Sequence, residues 1–402
     1  MTKVKLALAG RAHLAVGLMS GTSHDGVSAA CIEIDRQRRP PVKLIAFDSY
    51  PYPKPLRMRL LEASSGRPVG ALELSALNFE LGTAFARAAT GVLKKARIDP
   101  ARVSFIGSHG HTFAHLPPRR AGRGTASTLQ LGESAVIAAA TGIPVVADFR
   151  PMDIAVGGEG APLAPLAHRW LFGDVRMGRI VQNIGGIANA TYLPAARRVE
   201  SVRPIAFDTG PGVMMIDALA ARLSGGRMRM DRDGRLAAAG IVNPQLLAEL
   251  MRNPYLRRKP PKSTGREDFG AAYLERISAR AEAMKIDSRS LIATLTAFTA
   301  HSIADACRRF IGPLGRIDQL IVTGGGARNP VLMEMLRREL PAIQVMTAEQ
   351  VGVDGDALES VAFAILGYQM LIGGAGNLPS VTGARAPAIL GKLTLPPRPA
   401  RG

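Results

Sequence analysis

The spacing of apolar positions along this chain changes several times, and each change predicts a new element. Residues 14–34 carry apolar runs on both sides of a short polar turn, which predicts a β-hairpin. VKLIAFDSY at 42–50 predicts a third strand after the Arg- and Pro-containing turn at 36–41. From Val69 to Ala96 the period lengthens, with Leu72, Leu77, Leu81, Phe85, Ala89 and Leu93 broadly on one face of a helix. VSFIGSHG then predicts a short strand that ends in the polar group SHGHTFAH. TLQLGESAVIAAATGIPVVADF predicts strand, helix and strand, a crossover that favours parallel pairing. It empties into RPMDIAVGGEGAPLAP, where Gly and Pro predict a loop.

The second half repeats this plan without repeating its residues. GRIVQNIGGIANATYLPA at 178–195 predicts strand, glycine turn, strand, and PIAFDTGPGVMMIDALAARL predicts strand, turn, helix. Residues 243–310 are expected to be mostly helical, broken by the basic YLRRKPPKSTGREDF. IDQLIVTGGGARNPVLMEMLRREL predicts strand, triple glycine and helix; IQVMT a strand; VGVDGDAL a loop; and ESVAFAILGYQML a closing helix. The Pro-rich LTLPPRPARG is expected to be loose. A length of 402 residues points to two lobes, drawn at 1–145 and 146–402 with a helical insert at about 243–310, the last helix being free to pack back on the first lobe. The apolar helical stretches at 291–307 and 361–372 leave room for a dimer surface.

Composition narrows the function classes. A hydrophobic fraction of 47% and a charged fraction of 21% describe an ordinary globular chain. The net charge of +19 raises the question of nucleic acid, but the arginines are scattered, aromatics are 5%, and no nucleic-acid motif is present. The clusters RRP at 38–40 and RRAGR at 119–123 read as solvated loops, and an anionic small substrate explains part of the surplus equally well. Cys31 and Cys307 lack metal-ligand spacing and read as buried thiols in a reducing compartment. Arg11 and His13 interrupt the early apolar stretch, which argues for a cytoplasmic protein over a signal peptide, and no uncharged apolar run reaches 18 residues, so no membrane span is expected.

Four polar glycine turns follow apolar strands: GTSHDG, NIGGIAN, DTGPG and TGGGARN. Any tight turn wants glycine, yet four in one α/β chain make a nucleotide site plausible, because successive backbone N–H groups can ring phosphate oxygens. Neither G-x-x-x-x-G-K-[ST] nor a first-turn G-x-G-x-x-G is present, which disfavours a P-loop ATPase and a dehydrogenase. Asp25 and Asp208 stand at strand ends beside glycine, where a carboxylate can hold a Mg²⁺ shell through water or simply form an Asx turn. Asp148 and Asp153 flank Arg150 on a stretch pinned by Pro151 and opened by Gly157 and Gly158. Such a stretch can present a base to water or an alcohol; a structural Asp148–Arg150 turn is the competing reading. His109, His111 and His115 are spaced poorly for structural zinc, so substrate bonding by His109 or a turn role fits better, and His24, His168 and His301 read as packing or surface residues. Ser20, Ser23 and Ser108 lack a G-x-S-x-G setting, which disfavours a hydrolase triad.

Read together and in order, GLMSGTS-x-DG, SHG-x-T, DFR-x-x-D-x-A-x-GG-x-GAPL-x-P, NIGGIAN and FDTGPG resemble the bacterial anhydro-N-acetylmuramic acid kinase family over nearly the whole length. The resemblance implies an α/β chain with the two-lobed, ribonuclease H-like fold of sugar kinases, actin and the Hsp70 ATPase, a nucleotide cleft between lobes, and a cytoplasmic homodimer. It implies use of ATP with Mg²⁺ to open 1,6-anhydro-N-acetylmuramic acid with water and phosphorylate its 6-oxygen. Carried onto this chain, Asp153 is the base that activates water, and Arg150, His109 and Glu159 shape the sugar site. Gly21, Thr22 and Ser23, with Gly185 and Gly186 opposite, hold phosphates; Gly210 joins them, Asp25 and Asp208 serve the metal, and Gly324, Gly325, Gly326 and Asn329 serve the adenosine end. Arg150 or the basic stretch at 262–267 is expected to face the substrate's carboxylate. His24, Ser28, His111, Val213 and Leu358 depart from the family's usual Leu, Asp, Gln, Asn and Lys, while Glu359 is retained. A kinase of the same fold acting on another sugar or polyol is the competing function; no nucleic-acid or membrane partner is expected.

Overall fold

Alternation with a period of two lets one strand feed two cores, and the first strands do this. In the computed structural model, which describes residues 8, 10–21, 24–38, 40–196 and 203–397, β1 is Ala12–Ser20 and β2 is Gly26–Asp35. Val16, Leu18, Val27, Ala29 and Cys31 belong to one buried cluster, and Ala15, Ala30, Ile32 and Ile34 to another on the opposite face. β3 (Val42–Pro51) extends the antiparallel meander, while β4 (Val103–Leu116) and β6 (Val145–Ala147) add parallel strands on the other side of β1. β5 (Ser127–Leu131) and β12 (Lys392–Thr394) complete the sheet by antiparallel pairing with β4 and β6.

One face of this sheet is covered by the helix Ala71–Ala96, whose Leu77, Leu81, Phe85, Ala89 and Leu93 are buried as their spacing predicted, while Leu72, in its first turn, is exposed. The other face carries the helix Leu358–Leu371. Gly17 and Gly107 make that approach possible: a Cβ at either would overlap the carbonyl oxygen of Ser360 or Phe363.

The second unit, Phe172–Asp356, holds β7 (Arg179–Ile184), β8 (Ile187–Leu193) and β9 (Ile205–Pro211) as an antiparallel meander. β10 (Gln319–Thr323) and β11 (Gln344–Thr347) are added parallel beside β7. Counting by order of appearance, the central path of each sheet reads 3-2-1-4-5, the ribonuclease H-like order. The helices Ser288–Ala306 and Pro330–Glu339 pack on this second sheet, and Met214–Leu223 joins a helical core built around Phe269, Leu295 and Phe298.

The structure corrects several expectations. The first unit runs to residue 171, past the 145/146 boundary drawn from sequence, because Phe149, Leu163, Leu166 and Ala167 pack into its core; the chain returns to it at residue 357, the option left open for the last helix. RPMDIA is helical, within Phe149–Ala155, since Pro at an early position presets a helical φ. SHGHTFAH and DTGP lie inside β4 and β9, where ladder bonds to neighbouring strands override turn-prone composition. β5, expected to pair in parallel, lies antiparallel on β4, and the supposedly loose tail contributes β12. The helices spanning 291–307 and 361–372 are almost wholly buried in their own units, which removes them as a dimer surface. Thr22, Ser23 and Arg39 lie outside the described residues. No helix among the described residues is long and apolar enough to cross a membrane.

Candidate active site

In the first unit the candidate residues gather at the C-terminal ends of parallel strands, where open α/β sheets leave room for ligands. β6 ends at Ala147, and Asp148 takes a left-handed conformation, φ +56°, that turns the chain into the helix Phe149–Ala155. Phe149 drops into the core while Asp148 pairs with Lys392 at 2.9 Å, so Asp148 is not bonded to Arg150 in a local turn. Arg150 and Asp153, three positions apart, share a face of this helix.

Arg150 donates from Nε to His109 Nε2 at 3.0 Å and from one terminal nitrogen to the Gly160 carbonyl at 2.8 Å. His109 Nδ1 lies 3.0 Å from the Gly110 carbonyl, which can only accept, so Nδ1 carries the proton and Nε2 accepts from Arg150. The imidazole is therefore neutral: burial, then the neighbouring Arg150 cation, holds its pKa well below the usual value. Burial also pushes Arg150 down to about 10, against the attraction of Glu359 and Asp153, and leaves it charged at neutral pH. Glu359 keeps solvent access yet stands among enough protein that burial raises its carboxyl pKa, with Arg150 opposing.

Asp153 is fully buried. Its Oδ1 accepts from Asn377 Nδ2 at 2.7 Å and from Thr382 Oγ1 at 2.8 Å, and its Oδ2 accepts from Gly160 N at 2.8 Å. Glu159 ties the adjoining turn down: its N–H donates to the Thr382 carbonyl at 2.8 Å and its carboxylate meets Arg119 at 3.4 Å. His109, Arg150, Asp153 and Glu159 thus share one bonded network. Asn377 and Thr382 were not anticipated, and they stand 224 and 229 positions from Asp153, beyond any local pattern.

The β1–β2 turn carries a second group. Gly21 has open space where a side chain would be, and Asp25 is exposed and pairs with Arg57 at 2.7 Å. Tyr52 donates to Ser20 Oγ at 2.8 Å, and Ser20 Oγ lies 3.1 Å from Nδ1 of buried His111. The His24 and His111 rings are 4.8 Å apart, so His24 packs on His111 and does not stand singly.

In the second unit three glycine turns converge at one end of the sheet. Gly185 and Gly186 close the β7–β8 hairpin, and Gly212 and Val213 donate their N–H groups to the Gly186 and Gly185 carbonyls, each at 2.9 Å. Gly324, φ +77°, follows β10 beside β7 and packs on Asn183 and Ile184; Gly325 is open, and Gly326 is buried against Ile184. Two positions have tasks of their own. A Cβ added at buried Gly210 would lie 3.1 Å from Ser302 Oγ and from Leu256, which gives glycine a packing role there. Asn329 is buried and caps the helix Pro330–Glu339 by accepting from Leu332 N at 3.1 Å.

Asp208 Oδ2 accepts from Ser263 Oγ at 3.0 Å and Thr264 N at 2.9 Å, while burial raises its pKa against those bonds and Lys262. Lys262, offered above as a partner for a substrate carboxylate, is turned inward. Its Nζ is buried over the rings of Tyr255, Phe310 and Phe207 at 4.8, 4.6 and 5.8 Å, and burial pushes it down to about 8. An ammonium held by aromatic faces gains cation–π attraction that offsets part of its lost hydration. Among the described residues no group of three or more His, Cys, Asp or Glu is placed to hold a metal ion. Magnesium keeps most of its waters, so single carboxylates such as Asp25 and Asp208 fit its donor chemistry without such a group.

Residues 13–396 match the family model described as anhydro-N-acetylmuramic acid kinase. The anhydro-N-acetylmuramic acid kinase of Caldanaerobacter subterraneus subsp. tengcongensis is 42% identical over 385 residues, covering 95% of this chain and 97% of that protein. That of Salinibacter ruber is 42% identical over 385 residues, with 95% and 96% covered, and that of Gloeobacter violaceus 42% over 381 residues, with 94% and 98% covered. Among solved structures, a hexokinase of Thermus thermophilus aligns over 89% of this chain and 99% of its own at 14% identity and a TM-score of 0.39, too distant to carry a functional reading.

Proposed function

This chain belongs to the anhydro-N-acetylmuramic acid kinase family, and from that premise we propose that it is an ATP-dependent phosphotransferase that opens 1,6-anhydro-N-acetylmuramic acid with water and phosphorylates its 6-oxygen. Water attacks the anomeric carbon, the bond from that carbon to O6 breaks, O6 takes the γ-phosphoryl group, and ADP leaves with N-acetylmuramic acid 6-phosphate. The proton of the attacking water goes to Asp153. The observation that carries this reading is the single network that joins a buried carboxylate, Asp153, to a charged Arg150 and a neutral His109.

Each part has chemistry suited to its role. Arg150 keeps a positive charge in a protected setting, which suits an anionic sugar, and Glu159 and His109 complete the sugar contacts. A carboxylate held in place within reach of the attacking water is the group a general base requires. The attacking water is assigned to Oδ2, whose single protein donor is the Gly160 N–H. The phosphates are assigned to Gly21, Thr22, Ser23, Gly185, Gly186 and Gly210, and the adenosine end to Gly324, Gly325, Gly326 and Asn329. Mg²⁺, attributed to Asp25 and Asp208, supplies neutralisation of phosphate charge when bound. A homodimer and a cytoplasmic setting belong to the same proposal. Incubation with ATP, Mg²⁺ and the anhydro sugar should give a product heavier by one water and one phosphoryl group. Turnover of a simple hexose with none of the anhydro sugar would refute it.

A further inference from the structure

Asp153 has two oxygens that are not equivalent, and resting on the function just proposed, we infer that Asn377 and Thr382 are positioning residues that hold it through Oδ1 and leave Oδ2 as the oxygen that takes the proton. A carboxylate offers about two acceptor sites on each oxygen. Oδ1 has both filled by side chains, at 2.7 and 2.8 Å, while Oδ2 has only the Gly160 N–H, at 2.8 Å. The donors on Oδ1 cannot turn away. Asn377 Oδ1 accepts from Ala388 N at 2.7 Å and its Nδ2 also reaches the Ala386 carbonyl at 3.2 Å, which directs Nδ2 at Asp153. Thr382 Oγ1 accepts from Ala384 N at 3.4 Å, which leaves its proton for the carboxylate.

The surroundings of Oδ2 are different in kind. Gly158 lies against it, and a Cβ there would overlap the carboxylate, Oδ2 most closely, so only glycine fits at that position. Its single donor belongs to the glycine-rich segment at 157–160, whereas the donors on Oδ1 are the buried side chains of Asn377 and Thr382, on a segment bonded to that turn through Glu159 N to the Thr382 carbonyl and Arg385 N to the Val156 carbonyl, at 2.8 and 3.0 Å. One oxygen is anchored and the other is gated only by backbone.

The test compares T382V, T382S, N377A and D153N in the full-length enzyme, using the anhydro sugar, with melting temperature and ADP binding as controls for folding. We expect T382V and N377A to lower kcat by about 10- to 100-fold, part of the roughly 10²–10⁴ that a positioned base contributes, with KM for ATP little changed and T382S near normal. On a D153N background T382V should add almost nothing, because both act through one carboxylate. Full activity of D153N would remove the function reading and this inference with it. An inactive D153N beside folded T382V and N377A of unchanged kcat would overturn the positioning role alone. Should valine prevent folding, T382C replaces it, since its weak thiol donor keeps nearly the same volume; normal kcat in T382C and N377A together would also overturn the role.

Discussion

At the scale of single residues the decisive contrast is between Asp153, whose oxygens are all held by the protein, and Glu359, which is open to solvent beside the same Arg150. If the sealed carboxylate is the base, D153N should lower turnover of the anhydro sugar by more than about 10²-fold, the low end of a general base's contribution, while ADP binding by calorimetry stays within a few-fold. Arg150 is a sharper probe of geometry than of charge. R150K keeps the cation but cannot donate to His109 Nε2 and the Gly160 carbonyl from one planar group, so kcat/KM for the sugar should fall by about 10-fold or more, with KM for ATP unmoved. The types and order of these residues were legible in the DFR motif. Their partners were not, because Asn377 and Thr382 reach Asp153 only after the chain has traversed the whole second unit.

Elements show where local pattern was enough and where it failed. The helix Ala71–Ala96 was readable because an amphipathic stripe has to face a core whatever the fold, and the strands of both meanders were readable for the same reason. The helix Phe149–Ala155 was not, since its seven residues sit in a stretch rich in Gly and Pro and are held by tertiary bonds to Arg150 and Asp153. The helix Leu358–Leu371 lies so close to β1 and β4 that G107A should destabilise the protein by about 1–3 kcal/mol in urea unfolding, the usual range for overpacking. For the helix Pro330–Glu339, N329A should lose about 1 kcal/mol, the worth of an N-cap. A loss of nucleotide affinity out of proportion to that loss of stability would support Asn329 at the adenosine end as well.

For the whole molecule, pH is the most direct test of burial. His115 and His168 are pushed from 6.5 to about 4, in both cases chiefly by burial. The unfolded chain therefore binds more protons than the folded one between these values, so the stability these residues protect is complete above pH 6.5 and is lost as pH falls toward 4. The buried His168 alone adds a slope of up to about 1.4 kcal/mol per pH unit, and H168Q should flatten the fall in melting temperature between pH 6.5 and 4.5. The buried thiols should be inert: burial lifts Cys31 to about 11 and Cys307 to about 12, so neither should react readily with an alkylating agent at neutral pH in the folded protein.

By itself the sequence determined the two meanders, the glycine turns after their strands and membership of a kinase family, because hydrophobic period, turn chemistry and motif order are properties of neighbouring residues. Only the tertiary structure decided that the last helix covers the first sheet, that Lys262 is enclosed by three aromatic rings and that Asp153 is anchored by one oxygen. Those outcomes depend on which distant segments meet, and the free energy of burying a charge is settled by the partners present after packing, which no local run of residues records.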